Sequence, residues 1–190
     1  MRTLISTAFI SLDGVVEDPG GQTDYRNGGW TFRGVDFVPE AYALKGSEQL
    51  ESTAMLLGRT SYEMFSPVWP TMDDFSHYKN LPKYVVSTTL TDEDLVSDWG
   101  PTTILRSLDE VAGLKESEGG PIIIHGSVTL NHALADAGLT DRYHLLVFPL
   151  LLGAGEKLFS DADKDTQKLR LVDSEVYSNG IQKNIFDVVH

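Results

Sequence analysis

The sequence has 190 residues, of which 41% are hydrophobic and 23% are charged, as in an ordinary globular protein. This length fits one domain with its own core, so we expect residues 1–190 to form a single domain. The absence of cysteine excludes disulfides and thiolate chemistry. The formal net charge of -13 argues against a nucleic-acid partner, because phosphate backbones need clustered lysine and arginine.

The hydrophobic stretches of the chain are too short for a membrane segment. None approaches the ~20 apolar residues of a membrane helix, and the run after Arg2 meets Asp13 too soon for a signal peptide. We therefore expect no membrane partner and a cytoplasmic location. The histidines are scattered, and His125 and His132 lack the spacing of metal ligands on a helix, so we expect no catalytic metal.

Short apolar runs alternate with helical patterns along most of the chain. The runs typical of strands cover residues 4–12, 54–58, 83–87, 102–105, 122–124 and 142–150. Near the end, the runs 168–177 and 181–189 flank Asn179-Gly180, a residue pair that tight antiparallel turns prefer. This order predicts an α/β fold with a mixed, mostly parallel sheet that ends in an antiparallel hairpin.

Four segments between the strands are predicted to be helical. One covers residues 38–53, and another follows Ser127, which can cap its first turn. The other two begin with the pattern of a capping box, Thr60-Ser61-Tyr62-Glu63 and Ser107-Leu108-Asp109-Glu110.

Three of the strands end in groups that suit a phosphate. These ends are Gly58-Arg59-Thr60, Ser87-Thr88-Thr89 and His125-Gly126-Ser127. Ligands of open α/β sheets bind at the carboxyl ends of strands, so the three groups converge if the strands are parallel neighbours. Arg59 together with the hydroxyls favours a 2′-phosphate, and hence NADPH over NADH. The alternative is that each end is an ordinary β–α turn with nothing bound.

The same segments resemble those of a known family. The sequences Leu56–Glu63, Lys83–Leu90 and Gly126-Ser127 with Leu130 look like the three cofactor-contacting motifs of the dihydrofolate reductase family. Two further motifs, Ser11–Gly14 and Pro149–Phe159, are similar to those of the branch shared with the reductase domain of riboflavin biosynthesis. All five occur in the same order as in the family. A GxGxxG fingerprint is absent, which argues against an ordinary Rossmann domain.

The resemblance implies a three-layer α/β/α fold, NADPH as hydride donor, and a small nitrogen heterocycle or related carbonyl compound as acceptor. It assigns the cofactor to Gly58, Arg59, Thr60, Ser87, Thr88, Thr89, His125, Gly126, Ser127 and Val128. Arg59 and Thr60 would bind the 2′-phosphate and pyrophosphate ends, and Gly126 to Val128 would contact the pyrophosphate through backbone N–H groups. A cis bond often joins the two glycine positions before the helix in this family, and here His125 stands at the first.

The residues that bind the substrate or act in catalysis are predicted less directly than those that bind the cofactor. Asp13, at the end of the first strand, and Glu40 are the candidate catalytic proton donors. The buried carboxylate that dihydrofolate reductases use to bind the pterin has Asp36 and Glu40 as its nearest counterparts. Trp30, in a long glycine-rich loop, could stack on a flat substrate. The alternatives are that Asp13 is a turn residue, that Glu40 is a solvated helix residue, and that Trp30 anchors its loop.

Three functions are compatible with these features. The first is an NADPH-dependent reductase, and the second is its narrower form, a pyrimidine reductase of riboflavin biosynthesis that acts on a ribosylamino-pyrimidine. The third is a nucleotide-binding or sensor module without catalysis. We also expect a homodimer formed through the apolar run Val147–Leu152, because related proteins commonly pair.

Overall fold

The structure is a computed structural model that describes residues 1–162 and 164–189. Its strands are β1 (Leu4–Ser11), β2 (Ala54–Gly58), β3 (Lys83–Val86), β4 (Thr102–Leu105), β5 (Ile122–Ile124), β6 (Arg142–Phe148), β7 (Lys168–Val176) and β8 (Gln182–Val189). Its α-helices are α1 (Trp30–Arg33), α2 (Ala43–Glu51), α3 (Arg59–Phe65), α4 (Leu108–Glu116) and α5 (Val128–Asp136).

The strands form a mixed sheet in the order β4-β3-β2-β5-β1-β6-β8-β7. The pairs β3–β4, β2–β3, β2–β5 and β1–β5 are parallel, whereas β6–β8 and β7–β8 are antiparallel. The predicted α/β fold, with a mostly parallel sheet and an antiparallel C-terminal hairpin, is therefore confirmed. No helix among the described residues is long and apolar enough to cross a membrane.

The chain divides into two compact units, which we describe separately. The first contains Met1–Ser6 and Lys45–Asp141, and the second contains Thr7–Leu44 and the described part of Arg142–His190. The single domain expected from the length stays a prediction.

The core of the first unit is built on strands that are apolar on both faces. The three isoleucines of β5 are fully buried, as predicted for an interior parallel strand. Ile123 belongs to an aromatic cluster in which Trp69 stacks between Phe65 and Phe75, at ring-centroid distances of 4.1 and 4.2 Å. Ile122 and Ile124 belong to a separate cluster that includes residues of α4 and α5.

The second unit has its own core around β6 and the hairpin. Trp30 meets Phe148 of β6 edge to face, with ring centroids 5.1 Å apart, in a cluster that also contains Leu146 and Ile181. The turn before Ile181 contains Gly180 at φ 85°, a conformation that favours glycine and agrees with the predicted Asn179-Gly180 turn.

Several helix starts differ from the sequence prediction. The segment predicted as one helix over 38–53 begins as a 3₁₀ turn, Pro39–Tyr42, and continues as α2. The capping box at Thr60 does not form, because α3 already begins at Arg59 and Glu63 pairs with that arginine at 3.3 Å.

The other two predicted caps form wholly or in part. Ser107 Oγ accepts from Glu110 N at 3.3 Å, but the Glu110 carboxylate accepts from Arg106 N, one residue before the predicted partner. Ser127 caps α5 as predicted, since its Oγ accepts from Leu130 N at 3.4 Å.

Candidate functional site

The carboxyl ends of β3, β2 and β5 lie side by side at one edge of the sheet. Gly58 is in register with Val86 of β3, and Leu56 is in register with Ile124 of β5, and both pairings are parallel. The structure therefore brings together the three strand ends predicted to suit a phosphate, residues 58–60, 87–89 and 125–127. All three belong to the first unit.

Two glycines allow the loop before α5 to approach its neighbours closely. A Cβ atom on Gly58 would lie 2.4 Å from Ser127 Oγ, and one on Gly126 would lie 2.5 Å from Ser61 Oγ. Gly126 also has φ +64°, a conformation that L-residues rarely adopt. The cis peptide bond joins Gly126 to Ser127, so it lies one residue after the position expected at His125.

The loop leads directly into the N-terminus of α5, a nine-residue helix. The free N–H groups and the dipole at such an end attract anions. Ser127 uses its side chain to cap the helix and its carbonyl to accept from Asn131 Nδ2 at 2.9 Å. Asn131 in turn accepts from Ser6 Oγ at 2.6 Å, which holds the first turn against β1. The backbone from Gly126 to Val128 is thus held in a fixed arrangement at a helix end that favours an anion.

The turn after β3 presents exposed hydroxyls on a fixed backbone. Ser87 is buried, and its Oγ accepts from Thr89 N at 3.2 Å and from Leu90 N at 2.9 Å. Thr88 and Thr89 are exposed. Arg106, at the end of neighbouring β4, donates to the carbonyls of Ser87 and Leu90, both at 2.8 Å. Ser87 therefore shapes the turn, and the two threonines are the groups available to a ligand.

Arg59 can exchange its present partner for a ligand at low cost. Its guanidinium lies 3.3 Å from the Glu63 carboxylate, and both side chains are about half exposed. Such exposed i,i+4 pairs contribute little to stability. Thr60, the next residue, is exposed as well. A bound phosphate could therefore replace Glu63 as the partner of Arg59.

A buried polar cluster lies immediately before the loop. His125 Nε2 is 2.9 Å from the hydroxyl of Tyr78, and Lys45 Nζ lies 3.2 Å from the carboxylate of Glu48. Burial lowers the pKa of His125 to about 4. The negative charge of Glu48 raises this pKa and the positive charge of Lys45 lowers it, both by less than burial does. Burial also raises the pKa of Tyr78 and lowers that of Lys45. His125 is thus a neutral imidazole, and Tyr78 a neutral phenol, at neutral pH.

Four residues near the site were not predicted from the sequence: Lys45, Glu48, Tyr78 and Arg106. Glu48 is the buried carboxylate of the helix before β2, since its side chain is 1% exposed, whereas Asp36 and Glu40 precede that helix and are both exposed. The one local signal was the spacing of Lys45 and Glu48, which lie on the same side of a helix. Tyr78 and Arg106 reach the site through tertiary contacts, which no local pattern indicates.

Asp13, in the second unit, is held as an ionised acceptor. Its carboxylate accepts from Ser11 Oγ at 2.6 Å, from Leu152 N at 3.1 Å and from Gly153 N at 2.8 Å. These hydrogen bonds, that of Ser11 first, lower the pKa of the Asp13 carboxyl. A proton donor needs the opposite shift. The geometry favours the structural alternative, a turn residue that fastens the 152–153 segment.

Asp13→Ala is expected to release that segment. The backbone N–H groups of Leu152 and Gly153 would lose their acceptor, so their amide hydrogen exchange should accelerate at least about tenfold, the equivalent of one net hydrogen bond. Exchange measured by NMR checks this expectation, and Asp24→Ala, in the exposed loop, serves as the control. Unchanged exchange at both amides would reject the fastening role.

The remaining predicted substrate residues also lie in the second unit. Trp30 is buried, and its Nε1 donates to Glu17 O at 2.8 Å, which favours the loop-anchoring alternative. Asp36 lines an open depression of about 470 Å³. Glu40 lies exposed in the 3₁₀ turn before α2. The substrate roles of Trp30 and Asp36 and the catalytic role of Glu40 stay predictions.

The residues that the structure describes contain no group of three or more histidine and acidic side chains placed to hold a metal ion. The polar groups at the edge of β3, β2 and β5 are instead an arginine, hydroxyls and backbone N–H groups, which bind anions rather than cations.

Comparison with known proteins shows the family of the chain. The sequence matches the RibD C-terminal domain family over residues 2–183. It is 27% identical over 192 residues to the uncharacterized protein YyaP of Bacillus subtilis, covering 97% of this chain and 94% of YyaP.

Two solved structures share the fold. A candidate riboflavin biosynthesis protein from Shewanella sp. PV-4 superposes with a TM-score of 0.76 at 22% identity, covering 99% of each chain. Dihydrofolate reductase from Enterococcus faecalis, solved with NADP(H), superposes with a TM-score of 0.61 at 13% identity, covering 99% of this chain and 97% of that one. The predicted dihydrofolate reductase-like fold is thereby confirmed. With a family match that spans nearly its whole length, the chain belongs to the RibD C-terminal domain family.

Proposed function

We propose that this protein is an NADPH-dependent reductase that transfers a hydride to a small nitrogen heterocycle or a related carbonyl compound. Membership of the RibD C-terminal domain family supports a reductase-type function. The observation that carries the proposal is the shared edge of β3, β2 and β5, where an arginine, exposed hydroxyls and a helix N-terminus follow neighbouring strands. Nucleotides bind at this edge in open α/β sheets.

The groups at this edge fit the phosphates of NADPH. Arg59 would bind the 2′-phosphate, since a guanidinium contacts phosphate in a bidentate manner and need only leave its exposed partner Glu63. Exposed Thr60 and Thr88 would donate to phosphate oxygens. The backbone N–H groups from Gly126 to Val128, at the start of α5, would hold the pyrophosphate.

Hydride transfer requires few other groups from the protein. The cofactor supplies the hydride, and the protein has to position the acceptor, exclude water and deliver a proton. Asp13 and Glu40 are the donors suggested by the sequence, but the lowered pKa of Asp13 makes it a poor acid at neutral pH. The Tyr78–His125 pair adjoins Gly126 and carries exchangeable protons on a phenol and an imidazole. Burial keeps both groups neutral at neutral pH, so the pair can exchange hydrogen bonds beside Gly126 but is a weak acid. The proton donor is therefore left to Glu40 or to a water molecule.

Arg59→Ala is expected to weaken NADPH binding by about 10- to 100-fold and NADH binding by less than about threefold. The difference arises because only NADPH has the 2′-phosphate that the guanidinium would contact. Fluorescence titration of the full chain with each cofactor measures both affinities. Arg26→Ala, which removes an exposed arginine of the second unit, is the matched control and should change neither affinity.

The same titration separates the competing functions. Consumption of bound NADPH on addition of a heterocycle or carbonyl substrate supports the reductase, and turnover of a ribosylamino-pyrimidine supports the narrower role in riboflavin biosynthesis. Tight NADPH binding without oxidation by any substrate supports a nucleotide-binding or sensor module. An Arg59→Ala variant with unchanged cofactor preference would refute the 2′-phosphate contact, and a wild-type protein that binds neither cofactor would refute the proposal as a whole.

A further inference from the structure

The strand β7 lies at the end of the sheet and is exposed along its whole length. It follows β8 as the last strand in the sheet order, so no described strand pairs with its outer edge. All nine of its residues, from Lys168 to Val176, are exposed. The unpaired N–H and C=O groups of such an edge can pair with the strand of another chain.

Four of the nine side chains of β7 are aliphatic and exposed to solvent. Leu169 is 39% exposed, Leu171 52%, Val172 48% and Val176 72%. Natural proteins usually keep edge strands short or polar, because long apolar edges associate. A nine-residue edge strand with four exposed aliphatic side chains therefore indicates a surface that binds another chain.

The charges along β7 are arranged to fit a second copy of the same strand. Lys168 and Arg170 lie in its first half, and Asp173 and Glu175 lie in its second half. If two copies run antiparallel with Leu171 opposite Val172, then Arg170 faces Asp173 and Lys168 faces Glu175. Each cation meets an anion, twice over, because the pairing has two-fold symmetry. A parallel pairing in register would place like charges together.

Ion pairs among β6, β7 and β8 strengthen this polarity. At one end, Arg142 and Arg170 share the single carboxylate of Asp187, at 2.7 and 2.9 Å, which leaves an excess positive charge. At the other end, Asp173 and Glu175 share the single ammonium of Lys183, both at 3.0 Å, which leaves an excess negative charge. The antiparallel arrangement places each excess charge next to its opposite. A chain with a net charge of -13 would otherwise repel its copy.

We propose that β7 pairs antiparallel with β7 of a second copy of this chain, about a two-fold axis between Leu171 and Val172. The register shift of β7 against β8 falls between Leu171 and Asp173, so the axis passes through the bulge. The interface differs from the run Val147–Leu152 expected from the sequence, in which Phe148 is buried in the protein's own core. A single strand pair is a small interface, so the dimer should dissociate on dilution.

Sedimentation velocity from low micromolar to several hundred micromolar protein tests the contact. The wild type should be dimeric at the high end and monomeric at the low end. Val172→Lys places two ammonium groups at the axis and should give a monomer at every concentration tested. Leu50→Lys replaces an aliphatic side chain of α2 that is 74% exposed, and should dimerise like the wild type. A monomeric wild type, or a Val172→Lys variant that still dimerises, would overturn the proposal.

A charge exchange between two variants tests the register. It predicts a gain of dimerisation when the variants are mixed, and misfolding of either variant cannot produce such a gain. Lys168→Glu alone, or Glu175→Lys alone, puts like charges face to face at two places and should weaken dimerisation about tenfold. Mixing the two variants restores both attractive pairs, so a heterodimer of wild-type affinity should form. If the mixture stays as weak as its components, the two strands are not paired in this register and the proposed contact is wrong. Cofactor binding at the edge of β3, β2 and β5 should be unchanged in all these variants.

Discussion

Replacing Glu48 by alanine is expected to lower the free energy of unfolding by about 3–5 kcal/mol, because it removes the buried carboxylate that faces the partly buried ammonium of Lys45. The Glu48 side chain is 1% exposed and that of Lys45 is 18% exposed, so water cannot readily replace the lost carboxylate. The ion pair spans 3.2 Å within one turn of α2. Urea unfolding at neutral pH, followed by circular dichroism, measures the change.

Two further variants separate the cost of removing one charge of the pair from that of lost packing. The double variant Lys45→Met/Glu48→Leu removes both charges and keeps most of the apolar volume, so it should recover stability to within about 1–2 kcal/mol of the wild type. Glu63→Ala breaks the exposed Arg59–Glu63 pair of α3 at the same kind of helical spacing and should cost less than about 1 kcal/mol. A loss no larger in Glu48→Ala than in Glu63→Ala would show that Lys45 is solvated.

The Lys45–Glu48 pair was not predicted from the sequence, whereas most of the strands were. The strands followed from local composition: the three isoleucines of β5 are fully buried, and Asn179-Gly180 lies in the turn between β7 and β8. The sequence also predicted that the ends of β2, β3 and β5, whose groups suit a phosphate, lie at one edge of the sheet, because neighbouring parallel strands end on the same side. In each case the decisive information lies within a few consecutive residues.

The parts that could not be predicted depend on residues distant in the sequence. Asp13 looked like a candidate acid, but two of the three groups that donate to its carboxylate are N–H groups 139 and 140 residues away. His125 stood where the family has a glycine, and its partner Tyr78 is 47 residues earlier. Tertiary packing decided each of these outcomes.

Acid is expected to destabilise the folded protein through His125 by about 3 kcal/mol, between pH 6.5 and about pH 4. Burial lowers the pKa of this imidazole from 6.5 to about 4 in the folded state. Between those values the unfolded chain binds the proton and the folded chain does not, so stability falls as the pH falls. The full contribution is present above pH 6.5, and each unit of difference in pKa corresponds to about 1.4 kcal/mol.

The His125→Gln variant isolates this effect from the titration of the carboxylates. Glutamine cannot take up a proton, but its amide can still exchange a hydrogen bond with the Tyr78 hydroxyl, whose oxygen lies 2.9 Å from the imidazole nitrogen in the wild type. Urea unfolding over this pH range should therefore show a shallower loss of stability in His125→Gln than in the wild type. His77→Gln, at an exposed site, should follow the wild type. Parallel curves for wild type and His125→Gln would mean that the folded protein protonates His125 as readily as the unfolded chain does. The imidazole beside residues 126–128 would then be a charged group near pH 6, and the neutral state assigned to the Tyr78–His125 pair would be wrong.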